Sequence, residues 1–281
     1  MTLFDVIANP LFKHKFVLQK IVCHLTNWER DNLIVYYDEQ ISSDLFTQIE
    51  QLYNLYAIDH EPLEYILWYV EYGWLRFHVN KNTIIPRPET EYMIDAVREY
   101  IWANKYVLVD VGTWSWVLWL SILHSHGDFF DKAFLIDISK DALAVAKKNY
   151  EYCIEKDQIE KNIDVILSQW NLFDLSVVSV DTQEVIILAN LPYIPDETFD
   201  TNPDLSIKYE PRVAFVWWDD GLDLYRIMFQ QIRDSGYQFT MFLEMMTWQV
   251  DILRKEFDRL VFDEIKTFHF QIRIVKVTLN N

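Results

Sequence analysis

Glycine is scarce in this chain. There are five in 281 residues, where average usage of about 7% would give roughly 20. No Gly-x-Gly-x-x-Gly run marks a pyrophosphate site, which removes the usual fingerprint of a dinucleotide enzyme. Cysteine is nearly absent as well. Cys23 and Cys153 have no metal-ligand or redox spacing, so the expectation is two reduced thiols, a cytoplasmic protein and no metal. Basic residues are few: 25 Lys and Arg against 43 Asp and Glu leave a net charge of −18. Such a surface repels phosphate backbones and argues against direct nucleic-acid binding, a local basic patch aside. Asp5 precedes Lys13, His14 and Lys15, the wrong order for a secretory signal. The one long apolar stretch, 106–123, carries Asp110 near its start and Gly112-Thr113 in its interior, with no flanking basic clusters. It reads as a buried strand–turn–helix and not as a membrane span.

What is present is a 51% apolar, 24% charged composition with eleven tryptophans. That apolar and charged balance belongs to a soluble protein with a substantial core. Residues 1–64 read as a small helical domain, with Phe16, Ile21 and Leu25 at helical spacings and Ser42-Ser43-Asp44 opening a helix to 57. Residues 65–88 read as an alternating, aromatic hairpin linker, containing Leu75-Arg76-Phe77-His78-Val79 and Thr83-Ile84-Ile85 and closed by Pro86-Arg87-Pro88. Residues 89–281 alternate strand and helix. A helix starts at 89–91 and runs to 100, and strands are expected at 106–111, 133–137, 163–167, 185–189 and 238–244. Helices are expected at 115–126, 140–152, 222–234 and 249–257, with closing strands near 260–267 and 270–278. This pattern implies an α/β, doubly wound, mainly parallel sheet with an antiparallel edge.

Ligands of such sheets sit outside the carboxyl ends of the strands. Val109-Asp110-Val111-Gly112-Thr113-Trp114-Ser115-Trp116 runs from a buried strand through an acid into a tight turn at a helix N-terminus. Asp137 closes the next strand, 27 residues on, and is suited to accept hydrogen bonds from ribose hydroxyls; the same acid also suits a helix cap. Asn190-Leu191-Pro192-Tyr193 follows the fourth sheet strand directly. An Asn side-chain oxygen and the next backbone carbonyl together accept both hydrogens of one planar –NH₂ group. Proline sets the chain direction, and Tyr193 offers a flat face to a planar amide or base.

The evenly spaced Gly112, Trp114 and Trp116 beneath a strand-end acid resemble the cofactor loop of S-adenosylmethionine-dependent methyltransferases. Asn190-Leu191-Pro192-Tyr193 is similar to the Asn-Pro-Pro-Tyr tetrapeptide of methyltransferases acting on planar nitrogens. Four further blocks occur in order: Glu61-Pro62-Leu63-Glu64-Tyr65-Ile66-Leu67, Ile85-Pro86-Arg87-Pro88-Glu89-Thr90-Glu91, Tyr209-Glu210-Pro211-Arg212, and Asp220-Gly221-Leu222-Asp223-Leu224-Tyr225-Arg226. Together they resemble the peptide chain release factor glutamine methyltransferases over nearly the whole chain.

The resemblance implies a seven-stranded Rossmann-like methyltransferase domain behind a helical substrate-recognition domain and a hairpin linker. It implies S-adenosylmethionine held by Asp110, Gly112, Thr113, Trp114, Ser115, Trp116 and Asp137, with Asn171 and Leu172 flanking the adenine and Asn190 touching both ligands. Asn190, Leu191, Pro192 and Tyr193 would grip the glutamine amide of the Gly-Gly-Gln motif in a release factor. Leu191 replaces the family's first proline and Asn171 its usual Asp. Arg87 and Glu89 would position the substrate loop, pair with each other or only pin the linker. The implied partner is a release factor, met by a cytoplasmic monomer.

Methyl transfer is an in-line displacement that needs the amide nitrogen about 3 Å from the methyl carbon. Two acceptors, Asn190 Oδ1 and the Leu191 carbonyl, would stabilise positive charge developing on that nitrogen. Against the family pattern, Trp68, Trp114, Trp116, Trp170, Trp217, Trp218 and Trp248 fall where glycine is usual, and Trp28, Trp74, Trp102 and Trp119 where it is acceptable. Glycine-coding UGA codons translated as tryptophan would produce this pattern. Taken literally, the loop indoles add bulk where the cofactor's methionine end belongs. Two competing expectations stay open: an adenine-N6 nucleic-acid methyltransferase, and a non-catalytic protein of the same fold.

Overall fold

A computed structural model describes residues 1–102, 105–114, 116–159, 163–169, 172, 184–201, 204–217, 220–233, 239–265, 267 and 274–279. The chain divides into two compact units, 1–69 with 204–209, and 70–203 with 210–281.

In the first unit, α1 (Leu3–Ala8) is opened by a capping box in which Thr2 and Asp5 exchange side-chain-to-backbone hydrogen bonds. Helix α2 (Lys15–Thr26) ends at Asn27 in the left-handed conformation. Helix α3 (Ser43–Ala57) starts where Ser42 Oγ accepts from Leu45 N. Leu18, Ile21 and Val22 lie on one face of α2, as their spacing requires, and join Ile49 and Tyr53 of α3 in one core. The short α4 (Leu63–Leu67) adds Leu63 and Leu67 to that core and ends at Trp68, also left-handed.

A hairpin follows, β1 (Tyr69–Tyr72) and β2 (Leu75–His78), closed by Gly73 and Trp74, and the second unit starts within it at Val70. Helix α5 (Glu91–Tyr100) follows a 3₁₀ turn at Pro88–Thr90. The chain then runs β3 (Tyr106–Val111), α6 (Val117–His126), β4 (Phe130–Asp137), α7 (Lys140–Glu155), β5 (Asp164–Gln169), β6 (Glu184–Ala189) and α8 (Asp196–Asp200). It closes with α9 (Asp223–Arg233), β7 (Phe239–Glu244), α10 (Thr247–Glu256), β8 (Leu260–Ile265) and β9 (Ile274–Leu279). The seven-stranded sheet has the order β5-β4-β3-β6-β7-β9-β8, with β9 antiparallel to both neighbours and the rest parallel. This is the Rossmann-like fold of S-adenosylmethionine-dependent methyltransferases.

Strand alternation builds two cores. Tyr106 and Leu108 of β3 face α5, α6 and α7, while Val107, Val109 and Val111 face the layer with α9 and α10. A strand buried on both faces reads as a continuous apolar run, which is why β3 stands out in the sequence.

Several local expectations need correction. Residues 65–67 are helical, because Pro62 opens a turn whose apolar positions are all buried. Residues 83–85 lie outside any strand; the Ile85 N–H is taken by Glu210 and not by a ladder. Helix α6 starts at Val117, not at 115. Strand β4 extends back to Phe130 beyond the expected 133. The closing strands are Leu260–Ile265 and Ile274–Leu279, and residues 234–238 and 268–273 lie outside the described residues. Among the described residues no helix is long and apolar enough to cross a membrane, and no cluster of metal-ligand types occurs.

Candidate active site

The strand order reverses between β3 and β6, whose outer neighbours are β4 and β7. Val111 and Ala189 are register partners, so Gly112 and Asn190 leave the sheet side by side at this switch point. A Cβ on Gly112 would lie 3.0 Å from Leu191 Cδ2 and 3.9 Å from the Asn190 carbonyl oxygen. Only glycine, at φ 70°, lets the two loops approach this closely.

Two acids stand behind the first loop. Asp110 is buried and accepts from Thr113 Oγ1 at 2.6 Å; its Oδ1 has no partner among the described residues. Burial pushes its pKa up to about 7, and the nearby Asp137 charge adds to the rise. Asp137 accepts from Ser139 N at 2.8 Å and Trp114 N at 3.0 Å, yet burial still raises its pKa. The Gly112 and Thr113 N–H groups both donate to the Ile136 carbonyl, which fastens the loop to β4. A narrow cleft, open at its mouth, is lined by Gly112, Trp114, Asp137, Leu172, Leu191, Pro192 and Trp217 among others.

The fit to S-adenosylmethionine is divided. Two buried acids suit a cationic sulfonium and ribose hydroxyls. The loop side chains do not suit it. Trp114 and Trp116 are buried at φ 47° and 68°, and the Trp114 Nε1 lies 3.6 Å from where a Gly112 Cβ would be. Its indole therefore lies over the turn that should face a ligand. Ser115, Asn171, Trp170 and Trp218 lie outside the described residues, whereas Leu172 lines the cleft.

The second loop is organised by Glu244, an acid at the end of β7 that the sequence reading did not single out. It is 1% exposed. Its Oε2 accepts from Asn190 Nδ2 at 3.1 Å and Thr90 Oγ1 at 3.0 Å, and its Oε1 from the Tyr193 hydroxyl at 2.9 Å. A carboxylate only accepts, so the Asn190 amide must turn its nitrogen inward and keep Oδ1 for a ligand. Tyr225 donates its hydroxyl proton to the Glu244 carbonyl and accepts from Leu191 N. Buried Gln249 donates to the carbonyls of Tyr193 and Asp220. Asp220 is held by Arg226, which also pairs with Asp223 and Glu256. The Asp220–Arg226 block is thus a brace for the Asn190–Tyr193 loop. Glu244, Tyr225 and Gln249 had one available signal: like Asp110 and Asp137, Glu244 is an acid closing a buried strand.

Arg87 pairs with the buried Glu210 at 2.6 Å and stacks over Phe215. Glu210 also accepts from Ile85 N, so this pair pins the segment leading into α5. Glu89 is the middle residue of the 3₁₀ turn before α5, one residue from the Thr90 that reaches Glu244.

No protein-family model matches the chain. A release factor glutamine methyltransferase of Francisella tularensis is 30% identical over 262 residues, 90% of this chain and 85% of the relative. Another, of Clostridium acetobutylicum, is 36% identical over 170 residues, 59% of this chain but only 55% of the relative. Among solved structures, a human methyltransferase 10 domain containing protein superposes with a TM-score of 0.52 at 13% identity, covering 74% of this chain and 90% of that one. At that identity the likeness shows the fold alone.

Two outcomes follow from the geometry. A Cβ on Gly221 (φ 69°) would sit 2.3 Å from the Tyr193 carbonyl oxygen and 2.6 Å from its carbon. Gly221→Ala should therefore displace the loop and cost about 2 kcal/mol in urea unfolding. Asp110 keeps its proton to about pH 7 when folded, whereas an unfolded chain releases it near pH 4. The stability of the protonated form is present at low pH and lost as pH rises through about 7. Asp110→Asn should raise the melting temperature of the unliganded protein by several degrees at pH 8, with the gap closing toward pH 4.

Proposed function

Because this chain belongs to the release factor glutamine methyltransferase family, we propose that it methylates the glutamine amide nitrogen of the Gly-Gly-Gln motif in a peptide chain release factor. S-adenosylmethionine supplies the methyl group. Asp110, Gly112, Thr113, Asp137 and Leu172 hold it, with the main chain at 114–116 and, outside the described residues, Asn171. The observation that carries the substrate assignment is the orientation of Asn190, whose Nδ2 is committed to Glu244.

With its nitrogen so engaged, Asn190 offers Oδ1 to one amide hydrogen, and the Leu191 carbonyl takes the other. An amide nitrogen is a poor nucleophile because its lone pair is delocalised into the carbonyl. Two acceptors aimed at its hydrogens lower the cost of positive charge on nitrogen as the new bond forms. The proton is then acidic enough to leave to water without a strong general base. Pro192 holds the chain direction, and the Tyr193 ring lies against the planar amide, its hydroxyl anchored on Glu244. Arg87 acts one step removed, through Glu210 and the segment entering α5. The helical unit of residues 1–69 recognises the release factor, and the enzyme works as a cytoplasmic monomer without binding nucleic acid directly.

The assay is labelled methyl transfer to a release factor and, in parallel, to adenine-containing DNA, run on the Trp114→Gly/Trp116→Gly protein so that the loop matches the family. Transfer to the release factor alone is the expected result; transfer to DNA alone would favour the adenine reading. In the same background, Asn190→Ala should lower turnover by about 10²–10³-fold while S-adenosylhomocysteine still binds. Undiminished turnover in that variant would overturn the assignment.

A further inference from the structure

Four tryptophans occupy backbone that suits glycine, each for a different reason. Trp68 (φ 64°) ends α4, where a left-handed cap normally takes glycine. Trp74 (φ 70°) follows Gly73 (φ 54°) in a two-residue hairpin turn, and a turn with positive φ at both positions calls for Asn-Gly or Gly-Gly. Trp114 (φ 47°) and Trp116 (φ 68°) shape the loop after β3, where the main chain should come close to a ligand. A bulky side chain at positive φ is an outlier in any protein. The other non-glycine residues there are Asn27, His60 and Asp157, types that tolerate it, and Leu172. Among the described residues, Gly73, Gly112 and Gly221 share this region with the four tryptophans.

The side chains agree with the backbone. The indole N–H groups of Trp114, Trp116 and Trp119 are buried without a partner among the described residues, although a buried tryptophan ordinarily finds an acceptor. Trp74 is wholly exposed and Trp68 is 62% exposed, so neither contributes to a core. At 68 and 74 only the main-chain conformation is well used, whereas Trp116 packs against Trp119 in the core with its N–H unpaired among the described residues.

We infer that residues 68, 74, 114 and 116 are glycine in the protein as its source organism makes it, encoded by UGA codons which that organism reads as glycine. The consequence for the site rests on the cofactor reading above. Without the indole that lies over Gly112, the space between this loop and Leu191 opens, and the main chain at 113 and 114 faces the methionine end of the cofactor.

The experiment has two readouts besides activity. The first is the codon at each of the four positions in the source gene: UGA is expected, and UGG would overturn the inference. The second is physical. Trp68→Gly and Trp74→Gly, both away from the cleft, should each raise the melting temperature by about 2–4 °C. Trp114→Gly/Trp116→Gly should tighten S-adenosylhomocysteine binding, measured by calorimetry, by about 100-fold. No gain in stability at the first pair, or none in affinity at the second, also overturns it. If the altered loop binds S-adenosylhomocysteine tightly but no release factor is methylated, the inference stands and the proposed function fails. If the chain as written binds equally well and methylates a release factor, the function stands and the inference fails.

Discussion

The buried carboxylate of Glu244 is the interaction on which the site depends. It ends β7 and collects three donors from separate parts of the chain: Thr90 before α5, Asn190 after β6 and Tyr193 three residues on. An ionised carboxylate out of water is stable only when its oxygens are satisfied, so each of these donors is held by the cost of losing it. The same requirement orients them. Asn190 turns its amide, Tyr193 fixes its ring, and the segment pinned by Arg87 and Glu210 meets the Asn190–Tyr193 loop on this carboxylate. Tyr225, Gln249 and Gly221 then hold the loop's main chain from behind.

A second constraint acts across the switch point. Asp110 and Asp137 lie at the ends of adjacent strands, and burial raises the pKa of both. An unliganded site therefore stores unfavourable electrostatic energy, which a cationic ligand relieves. The sheet places this charge beside the Asn190–Tyr193 loop because Val111 and Ala189 are register partners. Fold and chemistry meet at that pair.

The sheet and the two strand-end loops were legible in the sequence because buried parallel strands are continuous apolar runs and loops at their carboxyl ends carry chemistry. The helix Leu63–Leu67 and the fate of residues 83–85 were not. Five residues, four of them apolar, are too few to show a period, and a single long-range bond from Ile85 to Glu210 replaces a ladder. Glu244 escaped because its one local signal, an acid closing a buried strand, says nothing of its partners 51 to 154 residues away. The tryptophans were the reverse case. Their number was visible at once, and the φ values of Trp68, Trp74, Trp114 and Trp116 put these four in the same conformation as Gly73, Gly112 and Gly221.

The most direct test of the account is a double-mutant cycle on turnover in release factor methylation, using the Trp114→Gly/Trp116→Gly background. Glu244→Gln keeps the side chain's shape but puts a donor where Asn190, Tyr193 and Thr90 need acceptors. If Glu244 works through Asn190, that change alone lowers kcat by about 100-fold with cofactor affinity kept, and adding Glu244→Gln to Asn190→Ala costs little more. Full turnover in Glu244→Gln, or losses that multiply in the double variant, would contradict the account.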